Sequence, residues 1–397
     1  MACPLPIPDA AALPVVVRSG RRTVVAAAPA ALVTASGPAA LDALDRLEPG
    51  WWAGFLAYDL GRAVERVVPR LTDTGLPDLV LGRYDARLVL GDGPPRIEGR
   101  AGARAELERL IGASGVRAAQ LALGEPETSL DRDAFEAGVR AVVALIEAGE
   151  CYQVNLTRRL AWDDEADPVA LFRALSASSP APHGALLLLP HPNQGRVGVV
   201  SASPERFLSW RGDNLETRPI KGTGRVADVL RMSAKDRAEN VMIVDLARND
   251  LGRVCEYGSV RVPTLCAVEE HPGLYHLVST VRGVRRRGVG LGELVRAMFP
   301  PASITGAPKP RVLQAIEDLE PVRRGVYCGA FGWLDTERGE GDLAVAIRTF
   351  TIAGGETSLG VGGGIVADSH PAAEWAETEL KAARLLVAAG ARERAAV

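Results

Sequence analysis

The chain has 397 residues, 47% apolar and 24% charged, with a formal net charge of -3. That length allows two or three domains or one large core, and the interspersed signs exclude an electrostatic binder of nucleic acid or membrane surfaces. There is no long apolar run and no charged-then-apolar leader after Met1, so a cytoplasmic protein with a small-molecule ligand is expected.

Residues 1–128 are rich in Ala and Pro and are expected to form part of the same globule as a catalytic core at 129–397. Within them, Trp51-Trp52-Ala-Gly-Phe-Leu-Ala-Tyr58 alternates aromatic and apolar residues and reads as a buried strand. The segment 124–129 reads as a linker, followed by a helix entered at Ser129 or Asp131. Phe135, Val139, Val142, Val143 and Ile146 recur at helical spacing until Gly149 ends the run. A strand is expected from Tyr152, with polar Gln153, Asn155 and Thr157 alternating with Val154 and Leu156, so that one polar face can line a cavity. Further strands are expected at 185–189, 197–200 and 343–350, and helices near 236–250, 309–319 and 372–388. Hairpin-like strands beside long helices indicate an α+β fold.

Five cysteines, Cys3, Cys151, Cys255, Cys266 and Cys328, are scattered without paired spacing, so reduced, mostly buried thiols are expected. The histidines lack zinc-site spacing, which leaves carboxylates as the ligands of any metal. Lysine is scarce: Lys221, Lys235, Lys309 and Lys381 are the only four among 46 basic residues. In an Arg-biased chain, lysine stands out as the cation that can lose its proton and act as a nucleophile.

Several residue groups carry possible chemistry. Asp236 and Glu239, and likewise Glu374 and Glu377, each lie three apart on expected helices and share a face. Two such pairs suit magnesium held against an anionic ligand, although acidic pairs at this spacing are also common on solvated helix faces. Gly362-Gly-Gly364 after a strand, and Thr305-Gly-Ala-Pro308 leading into a helix with the proline just inside its start, suit either anion contact by backbone N–H groups or ordinary turns. Arg348 in an apolar strand requires an acidic partner or an anionic ligand. Glu205 at a strand end can serve as a general acid or base, or pair with Arg206.

These segments together resemble the chorismate-utilising enzymes, and most closely their aminodeoxychorismate synthase branch. The resemblance runs in order through Gln153-Val-Asn-Leu-Thr, Ser203-Pro-Glu-Arg-Phe, Thr217-Arg-Pro-Ile-Lys221-Gly-Thr, Asp236-Arg-Ala-Glu239-Asn, His276-Leu-Val-Ser-Thr, Ser303-Ile-Thr-Gly-Ala-Pro-Lys309, Ala346-Ile-Arg-Thr and Gly362-Gly-Gly-Ile. It implies two twisted, mostly antiparallel sheets packed as a β-sandwich with helices outside. It further implies magnesium on Glu239 and Glu377, with Asp236 and Glu374 in support, meeting the ring carboxylate of chorismate. The amides of Gly362, Gly363 and Gly364 and the amine of Lys381 would hold the same end. Arg348 and Tyr327 would take the enolpyruvyl carboxylate, His276 and Thr305 would lie near the ring, and Glu205 would be the general acid at the C4 hydroxyl.

Two positions separate the branches. Members that add water at C2 carry lysine where this chain has Gln153, and anthranilate synthases usually carry Pro-Ile-Ala-Gly-Thr where this chain has Lys221. In the aminodeoxychorismate branch that lysine is thought to add at C2 while the C4 hydroxyl leaves, after which ammonia enters at C4. No cysteine lies in a nucleophile-elbow context, so the resemblance implies a separate glutamine amidotransferase as the ammonia source. The alternatives are an anthranilate synthase component I and, from a different class, a non-catalytic chorismate- or tryptophan-binding regulatory partner. Phe299-Pro-Pro-Ala-Ser303 and the short connection after Lys221 depart from the family pattern, and no feedback control by tryptophan is expected.

Overall fold

The computed structural model describes residues 5–91, 93–113, 121–224, 226–271 and 274–391. Among these, antiparallel pairing builds one sheet of 11 strands and one of 10. Strands from the first hundred residues enter both sheets: Val15–Ser19 pairs with His183–His191 in the larger sheet, and Trp51–Leu56 pairs with Ala330–Asp335 in the smaller. The sheets face each other across a core in which Val17, Leu187 and Val199 of one meet Trp51, Phe55 and Phe331 of the other. Burial of this many branched and aromatic side chains, each contributing about 1.5–3 kcal/mol, drives the two layers together.

Helices cover the outer faces. Arg132–Glu147 starts at Asp131, whose carboxylate accepts the Ala134 N–H at 2.9 Å, and it buries Phe135, Val139 and Val142. The C-terminal helix Pro371–Ala388 lies on the larger sheet through Ala382 and Leu385. Its Trp375 ring is clamped between the Phe135 ring and the Arg158 guanidinium, 4.2 Å above it. No helix among the described residues is long and apolar enough to cross a membrane. Cys151, Cys255, Cys266 and Cys328 are buried free thiols, and Cys3 lies outside the described residues.

Four sequence expectations are corrected. The presumed linker contains a short strand, Glu127–Thr128, that extends the larger sheet along Gln153–Trp162. The expected strand at 343–350 is two strands, Glu340–Val345 in the smaller sheet and Thr349–Ala353 in the larger, so Arg348 occupies the crossover with φ 52° and not a strand interior. The glycines at 362–364 lie inside the strand Glu356–Ile365 and not after it. Pro308 caps the helix Lys309–Leu319 from outside, and Pro310 is the proline within its first turn.

A buried ion pair ties these layers to the site. Arg324 and Glu320 are 2% and 3% exposed at the side chain, 2.6 Å apart. Glu320 also accepts the N–H and hydroxyl of Thr157, while Arg324 donates to the carbonyls of Asn155 and Ile304. Removing one partner strands the other charge, so Arg324→Ala is expected to cost about 3–5 kcal/mol, read as a lowered urea midpoint.

Candidate active site

Two crossovers between the sheets create the site. The chain passes from Gly195–Ser203 in the larger sheet to Arg206–Arg211 in the smaller through Pro204 and Glu205, and returns from Glu340–Val345 to Thr349–Ala353 through Arg348. The two crossings run side by side: the Val345 N–H donates to the Glu205 carbonyl at 3.0 Å, and the Ala202 N–H donates to the Arg348 carbonyl at 3.0 Å. Tyr327 lies on a third strand-connecting segment, bonded to this crossover by Cys328 N–H to Ala346 O at 2.8 Å.

Glu205 is not paired with Arg206, whose guanidinium instead binds Asp342 and Glu216 at 2.8 Å each. Burial pushes the Glu205 carboxyl up to about 7, against opposing hydrogen bonds from Ser303 and the Ile220 N–H and the charge of Lys221. Lys221 follows on the strand Ile220–Gly224, which pairs with Leu274–Val284 so that Lys221 lies opposite Leu277 and Thr223 opposite His276, a buried residue. Burial first, and then the Lys381 charge, lowers the Lys221 pKa; Glu239, Glu205 and Glu377 act the other way.

The glycine strand brings the remaining groups to Lys221. Gly362, Gly363 and Gly364 pair with Thr157, Leu156 and Asn155, whereas pairing on their other edge stops at Leu359, opposite Phe350. Past that point one edge of the glycine run has no strand partner among the described residues, and the Lys381 amine donates to the Gly362 carbonyl at 2.8 Å. A Cβ on Gly364 would lie 2.9 Å from Gln153 Nε2 and 3.2 Å from Lys221 Nζ. Gln153 is fully buried, and both its amide nitrogen and its oxygen lack a hydrogen-bond partner. An orphaned buried amide is unfavourable unless a ligand or water completes it. Gly364→Ala is therefore expected to fold normally, since the backbone there is not left-handed, yet to displace both side chains. A displacement of about 1 Å costs roughly 100-fold in turnover, and steady-state kinetics alongside a thermal melt separates the two effects.

Acidic groups converge from two helices. Asp236 and Glu239 lie on Ala234–Gly252, started by the Ser233 hydroxyl, which accepts the Asp236 N–H at 3.2 Å. Asp236 packs against Gly222, whose φ of 76° and proximity to the Asp236 Cβ leave no room for a side chain. Burial raises the Glu239 pKa, opposed by Lys221 and Lys235 and reinforced by Asp236 and Glu377. On the C-terminal helix, Glu374 accepts the Ser369 hydroxyl at 2.6 Å, and Glu377 pairs with Lys381 at 2.6 Å. The Glu377 carboxylate, half-exposed at the helix surface, is held low against partial desolvation, chiefly by Lys381. Among the described residues, no three His, Cys, Asp or Glu side chains form a ready metal cluster. The candidate donors are nevertheless all hard carboxylate oxygens, from two helices whose Glu239 and Glu377 lie within charge range of each other, a set that fits magnesium completed by ligand and water oxygens.

The other predicted positions are accounted for. The Thr305 hydroxyl donates to the Pro301 carbonyl at 2.9 Å, and the Thr305 carbonyl accepts the Asn155 N–H. Tyr327 packs on Gly360, where any Cβ would lie 2.1 Å from the ring, and burial raises its hydroxyl pKa. Lys309 has a structural position, its amine bonding Asp250 at 3.2 Å and the carbonyls of Met298 and Phe299. Sequence reasoning passed over Asn240, which is fully buried and fastens the Glu239 helix to the His276 strand by donating to Leu277 O and accepting from Ser279. Its position one residue after Glu239 was the available signal.

A family model described as chorismate binding enzyme matches residues 18–387. The chain belongs to the chorismate binding enzymes. It is 41% identical over 84% of its length, and 76% of the relative's, to aminodeoxychorismate synthase component 1 of Klebsiella aerogenes. Anthranilate synthase component 1 of Thermus thermophilus is 38% identical over 85% of this chain and 77% of that relative. The crystal structure of anthranilate synthase component I from Streptococcus pneumoniae superposes with a TM-score of 0.78 at 26% identity, covering 92% of both chains. This member of the family is thus an α+β chorismate-utilising enzyme, and the similarity spans both sheets and the site between them.

Proposed function

We propose that the chain is an aminodeoxychorismate synthase component 1, replacing the C4 hydroxyl of chorismate with an amine for p-aminobenzoate or folate synthesis. Identities of 41% and 38% to relatives with two different names do not separate the reactions. The observation that carries the reading is Lys221: a partly buried lysine whose amine is desolvated and of lowered pKa, beside the orphaned Gln153 amide and within charge range of the buried acid Glu205.

In this reading the neutral Lys221 amine adds at C2. The two ring double bonds shift, the C4–O bond breaks, and Glu205 gives its proton to the departing oxygen, which leaves as water. Ammonia then adds at C4, the double bonds return, and the C2–N bond breaks to release Lys221. Both substitutions conserve charge and atoms without a redox partner, and the amine ends on the carbon that lost the hydroxyl. A neutral amine is required because a protonated one has no lone pair.

Arg348 and Tyr327 would hold the enolpyruvyl carboxylate, and the unpaired edge of Gly362, Gly363 and Gly364, with Lys381, the ring carboxylate. His276 and Thr305 would border the ring, and Gln153 would take a polar group near C2. Glu239 and Glu377, with Asp236 and Glu374 behind them, would hold magnesium, which when bound supplies positive charge against the ring carboxylate. A separate glutamine amidotransferase would deliver ammonia in the cytoplasm. The test is to incubate the purified chain with chorismate, magnesium and ammonium and identify the product. 4-Amino-4-deoxychorismate, converted to p-aminobenzoate by a lyase, supports the proposal. Anthranilate, or unchanged chorismate under these conditions, overturns it.

A further inference from the structure

Each turnover in the reading above exchanges one water-sized molecule for another at C4: the hydroxyl leaves as water, and ammonia takes its place while the rest of the substrate stays bound. A partly open cavity lies behind Glu205, about 320 Å³ with the space at its rim counted. Glu205 lines it, whereas Gln153, Gly364, Glu239 and Glu377, the other groups about Lys221, do not. One wall is the helix Ala234–Gly252, which presents Ile243, Ala247 and Asp250 at spacings of four and three, on one face. The facing wall runs from Met298 to Ser303, and the Ser303 side chain also hydrogen-bonds Glu205. The other charged side chains lining the cavity are matched: Asp250 by Lys309 at 3.2 Å, and Arg206 by Asp342 and Glu216 at 2.8 Å each. The buried hydroxyls of Thr217 and Ser303 are set among apolar neighbours, and no unpaired cation is there to hold an anion. Such a lining suits a small neutral molecule that hydrogen-bonds, of the size of water.

We propose that this cavity is the receiving site for ammonia, which enters behind Glu205 and not past the bound ring. The proposal rests on the functional reading above and adds the second substrate's site to it. From there the lone pair of ammonia forms the C4–N bond as the C2–N bond breaks and Lys221 leaves as the free amine. The entering nitrogen gives its surplus proton to the Glu205 carboxylate, which restores the acid spent on the departing hydroxyl. Glu205 is thus the wall between the two substrates and serves both, and water leaves by the route along which ammonia arrives.

The test narrows the cavity with Ala247→Leu, a substitution that suits the helix, and measures steady-state kinetics with ammonium chloride at fixed pH. KM for ammonium should rise about 10-fold or more, while KM for chorismate stays unchanged and the Lys221 adduct forms from chorismate and magnesium alone at the wild-type rate. Discharge of that adduct should slow at low ammonium and recover at high ammonium. Ala302→Val, on the facing wall, should act in the same direction and carries the test if Ala247→Leu does not fold. An unchanged ammonium dependence in a folded variant, or adduct formation slowed as much as its discharge, overturns the proposal while leaving the functional reading standing. Absence of both the adduct and C4 amination in wild type overturns the functional reading and this proposal with it.

Discussion

Replacing Lys221 with alanine is expected to lower C4 amination by about 1,000-fold or more and to shift the residual product toward amination at C2. The amine supplies the covalent step, and two of the other three lysines are bonded elsewhere. Lys381 is engaged with Glu377 and the Gly362 carbonyl, and Lys309 with Asp250. Lys221→Arg should fail equally, because a guanidinium keeps the positive charge but never becomes a free nucleophile. That pair of variants separates a nucleophile from a mere cation: if arginine restores activity, the charge and not the lone pair is what matters. Product analysis of both variants at fixed free ammonia is the check.

Glu205→Gln is the second large effect, expected to cost about 100- to 10,000-fold in kcat as a general acid is lost. Its pH dependence has a definite sign. The Glu205 carboxyl is raised to about 7, so it is protonated and able to donate below that pH and loses the proton above it. The wild-type rate at fixed free ammonia should therefore carry a falling limb near 7 that the glutamine variant lacks. Stability follows the same group. Its folded pKa lies above the unfolded value, so the stabilisation is complete below the unfolded carboxylate range and is lost as pH rises through about 7. Thermal melts of Glu205→Gln should show less loss between pH 5 and 8 than wild type, a readout independent of catalysis. Equal slopes would contradict the buried position of this carboxyl.

Much of this was legible in the sequence where a residue type is unusual for its surroundings. Lysine among arginines flagged four positions, Lys221 among them, and the helical spacing of Asp236 with Glu239 and of Glu374 with Glu377 gave their shared faces, because period and residue chemistry are local properties. The helix Lys309–Leu319 was likewise expected at its observed bounds, although the proline within its first turn is Pro310 and not Pro308. What was not legible depended on partners distant in sequence. An apolar run from 343 to 350 looks like one strand, and only the exchange of sheets reveals the break that puts Arg348 in left-handed backbone beside Glu205. Lys309 looked like a site residue until Asp250 and two carbonyls took its amine. The orphaned state of Gln153 is a three-dimensional fact with no one-dimensional trace.

The most direct test of the account is to mix the chain with chorismate and magnesium in the absence of ammonia, quench rapidly, and weigh the intact protein before mapping its peptides. The account predicts a mass gain equal to chorismate less one water, located on the peptide carrying Lys221, absent from Lys221→Ala and discharged to 4-amino-4-deoxychorismate when ammonium is added. Unmodified protein throughout turnover, together with undiminished C4 amination by Lys221→Ala, would contradict it.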